Sequence, residues 1–283
     1  ESHTFTDAKN AVSYTVYKNA PKTLIELISI ARSHGNHSHG NHSHGDRECI
    51  VCADERWMFT AFFQRVDALT GVLQHQFNIK KTDRIAIVMD NSAQWLMAFC
   101  AAAQAGATIV PLNQAGGVEY LGYCLDDSDA NIVFCDQSGF ASIAENLSNR
   151  DINVIVTRAD KNTQTDKKSP AAHIHDFDTL VAQGAPPNVV PVVPDPDACA
   201  LITYTQDRTG TPLGAASSHR ALGQAIFDIE FATVAAAIAN PTAIEKMLRK
   251  GLAPKTLLSL PLFHVNGCVA TFLTALLAGR TVV

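Results

Sequence analysis

The chain has 283 residues, 47% hydrophobic and 17% charged, which is long and apolar enough for one large domain or two small ones. Lysines and arginines number 22 against 27 acids; the net charge of −5 and the lack of a basic stripe exclude nucleic-acid binding through bulk charge. The uncharged apolar stretch 268–278 is shorter than the ~20 residues of a membrane span, so no membrane span is expected and the stretch reads as a buried helix. The N-terminus has no signal-peptide pattern, and seven cysteines spread over the chain read as reduced, mostly buried thiols, which together predict a cytoplasmic protein.

Residues 1–20 are polar and mixed, and residues 23–31 predict a short helix. The composition then breaks. Gly35-Asn-His-Ser-His39 is repeated at once as Gly40-Asn-His-Ser-His44, a stretch that cannot bury a core and is expected to be a mobile loop. His37, His39, His42 and His44 are weak metal candidates, and with the Cys49-x-x-Cys52 pair could hold zinc. No second C-x-x-C pair follows, so adventitious binding by the repeat is the simpler reading.

Residues 49–60 predict a hairpin turning at Ala53-Asp-Glu-Arg56, and 61–77 an amphipathic helix with apolar steps of three and four. Strand and helix patterns then alternate. Strands are expected at 84–89, 108–112, 131–136 and 152–157, and helices at 93–105, 117–127 and 139–149. Ser92 should cap the first of these helices and Gly106 end it. This rhythm predicts an α/β fold with a doubly wound, mostly parallel sheet. Asp126-Asp127-Ser128-Asp129 reads as a helix end in solvent, and Cys100, Cys124, Cys135, Cys199 and Cys268 read as core.

Residues 160–170 and the proline-rich 186–198 read as connections, the second as a subdomain boundary. The expected organisation is a segment 1–33, the histidine repeat 34–45, a first α/β subdomain 46–185, the connection 186–198, and an incomplete second subdomain 199–283. Beyond 199, a strand, a loop rich in Gly and Thr, and a helix from about His219 make a phosphate-binding turn the sharpest expectation. An ordinary strand-to-helix turn is its bland counterpart. A buried helix over 221–239, a charged helix at 243–251, a strand at 256–262, a helix at 269–277 and a strand start at 280–283 complete the chain, whose end reads as a cut.

The loop, Thr203-Tyr-Thr-Gln-Asp-Arg-Thr-Gly-Thr-Pro-Leu-Gly214, with Ser218-His219-Arg220 behind it and Pro261-Leu-Phe-His-Val-Asn-Gly267 further on, resembles the adenylate-forming superfamily of AMP-dependent synthetases and ligases. The likeness is greatest to fatty acyl-CoA and aryl-CoA synthetases, and covers residues 20–283 apart from the histidine repeat. It implies the N-terminal domain of such an enzyme, truncated before the remaining sheet and the C-terminal lid with its lysine. It also implies ATP, Mg²⁺ and CoA as partners in activating a small fatty or aryl carboxylic acid. By that resemblance Thr205, Gln206, Arg208, Thr209, Gly210, Thr211 and Gly214 would hold phosphates. His264, Asn266 and Gly267 would border the acyl pocket, although His264 in its apolar context also reads as a core histidine.

The family's loop runs Ser-Gly-Thr-Thr-Gly-x-Pro-Lys-Gly, and here Leu213 stands at the lysine and Asp207 at a glycine. Losing one charge-assisted phosphate contact costs ~1.5–3 kcal/mol. An added carboxylate at ~5 Å repels on the order of 3 kcal/mol at an effective dielectric of about 20. Unless Arg208 turns inward to grip phosphate, the sum is ~4–6 kcal/mol, a thousandfold or more in affinity. The resulting expectation is a retained fold with weakened ATP binding. A non-catalytic binding module derived from the fold is the alternative, and metal buffering by the repeat a weaker third.

Overall fold

The computed structural model describes residues 2–6, 13–34, 47–148, 150–157, 172–184, 189–206, 210–249 and 253–283. A hairpin of β1 (Ser2–Thr6) and β2 (Ser13–Tyr17) precedes helix α1 (Leu24–Ser33). A second hairpin, β3 (Glu48–Cys52) and β4 (Glu55–Met58), leads into α2 (Phe59–Gly71), which widens to a π-helical turn over Val72–Gln76. Alternating units follow: β5 (Arg84–Val88), α3 (Ala93–Ala105), β6 (Thr108–Pro111), α4 (Gly117–Ser128), β7 (Ile132–Asp136) and α5 (Gln137–Leu147). Then come β8 (Ile152–Thr157), β9 (Ala172–Asp176), α6 (Phe177–Ala182), and a third hairpin of β10 (Cys199–Gln206) and β11 (Pro212–Ser218). The chain ends through α7 (His219–Ala239), α8 (Pro241–Arg249), β12 (Lys255–Thr256), a π-helical run Asn266–Leu273, α9 (Thr274–Leu277) and β13 (Thr281–Val282).

The larger sheet has the order β11-β10-β6-β5-β7-β8-β9, and all its neighbours are parallel except β11, which turns back along β10. From β5 the chain steps to β6 on one side and then crosses to β7 on the other, the doubly wound topology expected. Period-2 alternation sorts the strand residues. Ile85, Ile87, Ile132, Phe134 and Ile155 join the core with α2 and α3, while Ala86, Val88, Val133, Cys135, Val154 and Val156 join a second core with α4 and α5. The smaller sheet runs β12-β13-β3-β4. Both sheets take strands from either side of the proline-rich connection.

Helix α3 lies between the sheets, packed on β5 and β6 on one side and β3 on the other. Its alanines allow that close approach, and Trp95 and Phe99 fill the remaining space, each worth about 1.5–3 kcal/mol on burial. Ser92 Oγ accepts from the Trp95 N–H, and Gly106 ends the helix in the left-handed region at φ 87°, as the sequence predicts.

Several expectations need correction. The mixed N-terminus forms the β1–β2 hairpin, and β9 with α6 extends the large sheet where no element was expected. The strand foreseen at 256–262 is regular only over Lys255–Thr256; one further bond, from Leu258 N–H to the Val283 carbonyl, precedes Pro261, which has no N–H and turns out of the sheet. Cys199 is exposed on its strand rather than core; the other six thiols are also free, and burial pushes Cys100 up to about 12. The helix expected to be buried at 221–239 is buried only at His219, Leu222, Gly223 and Ile226. Its second half carries no buried residue: Tyr17 lies 5.9 Å from the Phe231 ring, and beyond it Val234 and Ile238 are 46% and 75% exposed.

By length and composition alone α7 is apolar enough to cross a membrane, whereas the expectation of no span weighed only the shorter stretch 268–278. The helix is nonetheless tied into the fold as far as its middle. Gln224 exchanges hydrogen bonds with the Tyr17 backbone at 2.6 and 3.1 Å, and Arg280 donates to Glu230 at 2.7 Å. His37, His39, His42 and His44, and the connection 160–170, lie outside the described residues. At the base of the repeat, His34 Nε2 pairs with the Leu277 carbonyl at 2.8 Å, and Arg47 donates to the Gly279 carbonyl at 2.6 Å.

His219 opens α7 with its ring 2% exposed, and its Nδ1 accepts from the Leu24 N–H at 3.3 Å. Burial pulls its pKa down from 6.5 to about 4. The unfolded chain therefore takes up a proton below pH 6.5 that the folded chain refuses until about pH 4. Stability is full above the upper value and falls towards the lower, by about 3 kcal/mol. Urea melts across this range should show that loss, and His219→Asn should flatten it. In the same melts Gly139→Ala should cost about 2 kcal/mol or more, since its Cβ would lie 1.9 Å from the Val88 carbonyl.

Candidate functional site

The loop singled out by the sequence is the tip of the β10–β11 hairpin, not a strand-to-helix turn. Gln206 pairs with Pro212 and Thr205 with Leu213. Asp207, Arg208 and Thr209 lie outside the described residues. Gly210 has φ +86° and no atom within 4 Å of where a Cβ would stand, an open position that glycine alone occupies without strain. Leu213 lies on β11 at the foot of the loop and is 54% exposed.

The hairpin moves the helix away from the loop it was expected to follow. The N-terminus of α7 is capped by Ser218, whose Oγ accepts from Ala221 N–H at 3.2 Å. It is separated from the loop by the seven residues of β11, about 23 Å of strand. The helix dipole falls off within a turn, so an anion at the loop would depend on loop N–H groups and threonine hydroxyls. Ser218-His219-Arg220 serves the fold instead. Arg220 forks onto Asp197 at 2.7 and 3.1 Å and lies 4.2 Å over the Phe5 ring.

The hairpin is anchored by a contact the sequence did not announce. Tyr204, buried on β10, donates its hydroxyl to Asp127 at the end of α4. Burial first, and that hydrogen bond second, push the Tyr204 pKa up, so the phenol stays protonated and donating. Gly214 lets β11 pass the ring closely, since a Cβ there would meet Tyr204 at 3.3 Å. The acidic run at 126–129 is thus more than a solvated helix end: Asp126 pairs with Arg150 and Asp129 closes α4 in the left-handed region.

The second motif forms a tight turn. His264 N–H donates to the Pro261 carbonyl at 3.1 Å, and His264 Nδ1 accepts from Asn266 N–H at 3.2 Å. The His264 ring is exposed rather than held in the core, and Asn266 is exposed beside it. Gly267 is buried, and its missing side chain is filled by the Pro261 carbonyl, 2.1 Å from where a Cβ would stand. Its need for glycine therefore arises from the chain itself. Asn91, in the loop after β5, bonds to Leu260 and Leu262 and joins this turn to the large sheet.

The two motifs meet at one edge. Strands β10, β6 and β5 are parallel, so the hairpin loop and Asn91 both follow the carboxyl ends of strands two places apart, about 10 Å. Ligands of open α/β sheets bind along that edge. In the sequence the only local marks are a polar Asn91 in the turn after a strand and an aromatic Tyr204 within the motif. Among the described residues no three His, Cys, Asp or Glu side chains gather as a metal site.

A family model described as AMP-binding enzyme matches residues 38–283. The sulfoacetate–CoA ligase of Cupriavidus necator is 31% identical over 201 residues, 70% of this chain and 34% of that protein. The oxalate–CoA ligase of Arabidopsis thaliana is 28% identical over 205 residues, 72% and 35% of the two chains. Among solved structures, a benzoate CoA ligase from Burkholderia xenovorans aligns with TM-score 0.64 at 18% identity, over 90% of this chain and 44% of that one. The N-terminal domain of FACL13 from Mycobacterium tuberculosis aligns with TM-score 0.64 at 20% identity, over 90% and 56%. These structures share the fold. The chain spans about a third of the length of the curated relatives and about half of the solved chains. With the match covering most of its length, the chain belongs to the AMP-binding enzyme family.

Proposed function

We propose that this chain carries the phosphate loop and one wall of the acid pocket of an acid–thiol ligase. The whole protein would join a fatty or aryl carboxylate to ATP, forming an acyl-adenylate and releasing pyrophosphate. The thiol of CoA would then take the acyl group and release AMP. The observation that carries this reading is the place of the β10–β11 loop, at the carboxyl edge of parallel strands with an open left-handed glycine.

Thr205, Gln206, Arg208, Thr209, Gly210 and Thr211 would face the β- and γ-phosphates, with Gly214 seating the hairpin against Tyr204. His264 and Asn266 would border the acid, and Gly267 would hold their turn in place. No protein cage for Mg²⁺ gathers among the described residues, so the ion would arrive on the phosphates, as Mg²⁺ commonly does. A cytosolic setting belongs to the same proposal and is supported by the seven free thiols.

The chain by itself would bind ATP weakly. Leu213 offers no charge to phosphate, and Asp207 adds a repulsive one. Those two residues also favour the alternative of a non-catalytic module that keeps the fold and a pocket. Because Leu213 is exposed on its strand, Leu213→Lys should leave stability within about 0.5 kcal/mol. Combined with Asp207→Gly, it should tighten ATP binding in calorimetry by at least about tenfold. Unchanged affinity would rule out a phosphate site at this loop. Robust ATP–pyrophosphate exchange by the unaltered chain with fatty or aryl acids would overturn the claim of impairment.

A further inference from the structure

The carboxamide of Asn91 stands where a neighbouring strand would. Its Nδ2 donates to the Leu260 carbonyl at 2.8 Å, and its Oδ1 accepts from the Leu262 N–H at 2.9 Å. Between those groups lies Pro261, which has no N–H and cannot serve in a strand interior. Upstream, the segment is still paired with β13, through Leu258 N–H to the Val283 carbonyl at 2.8 Å. Beyond that point one side chain supplies both the donor and the acceptor of a strand partner.

Both ends of this tie are rigid. Asn91 directly precedes Ser92, the cap of the most buried helix in the fold, so its backbone is fixed by α3. On the other side, the Pro261 carbonyl is wedged against Gly267 and accepts from His264 N–H. The His264 ring, with Nδ1 accepting from Asn266 N–H, is carried on this turn.

We propose that Asn91 is a positioning residue for the acid pocket. It sets the His264–Asn266 wall against the hairpin loop two strands away, and acts on acid binding without touching the acid. The inference rests on the proposed reading of His264 as part of that pocket. A displacement of about 1 Å at such a wall is enough to change a bound geometry substantially.

Histidine-labelled NMR tests it, with His264→Gln assigning the ring signals. In the native chain the His264 ring should sit in one tautomer, with the proton on Nε2. Asn91→Ala should release it to a tautomer mixture while the His219 signals stay unchanged. Asn91→Asp, which keeps the acceptor for Leu262 and loses the donor to Leu260, should fall between. A merely structural role would lower the melting temperature and leave this grading absent. Titration with benzoate or octanoate as probe acid, read at His264, should show a dissociation constant raised about tenfold in Asn91→Ala. An unchanged His264 tautomer in folded Asn91→Ala, or equal acid affinity, overturns the proposal. If neither acid perturbs His264 in the native chain while Asn91→Ala still frees the ring, the pocket reading has failed and Asn91 has no part in acid binding.

Discussion

Helix α3 meets water almost nowhere, with 12 of its 13 residues buried, and the rest of the molecule is arranged around that constraint. A helix with a sheet on each side must be thin, so alanines dominate it and the two large rings are confined to Trp95 and Phe99. Those rings stack 5.5 Å apart, and Phe99 meets Phe272 edge-on at 6.0 Å, which couples the last helical run to the same layer. Such a helix also needs definite ends, because backbone groups buried without partners are costly. Ser92 and Gly106 supply them.

What α3 fixes, the functional edge inherits. The loop before it carries Asn91, and β5 and β6 on its flank define the direction in which β10 delivers the hairpin. Two consequences follow for the chemistry. The loop projects from a strand pair, so it has neither a helix axis behind it nor the attendant potential. Its position relies on the Tyr204–Asp127 bond and on Gly214, side-chain contacts that hold the hairpin against α4. An anion there would be recognised by local N–H and hydroxyl groups, in a chain whose net charge of −5 offers no long-range attraction.

Much of the fold was legible because its signals are local. Ser92 and Gly106 mark the ends of α3 in the sequence itself, and alternation in Ile85-Ala-Ile-Val88 reads directly as a two-sided strand. The motif after Cys199 located the hairpin and the family. Its geometry was not legible, since Pro212 to Ser218 is built of small residues apart from Leu213, with no strand-like alternation; it becomes a strand only through pairing with β10. Similarly, β9 is defined by β8 rather than by its own composition. The exposure of α7 was hidden for a different reason. An apolar helix reads as buried whether or not anything lies against it, and Phe231, Val234 and Ile238 show that difference. Asn91, Tyr204 and Asp127 escaped because their partners are distant in the chain: 169, 171 and 77 residues separate the bonded groups.

The exposure of Leu213 bears on how such a loop changes over generations. Its side chain contributes little to the core, and its backbone pairing with Thr205 does not depend on what the side chain is. Selection for a stable fold therefore does not act on this position, and selection for phosphate chemistry would act on it alone. A lineage could lose or regain the charge here without crossing the threshold below which the protein fails to fold. Within one hairpin the backbone answers to the fold through Gly210, Gly214 and Tyr204, while the side chain at position 213 stands outside that requirement.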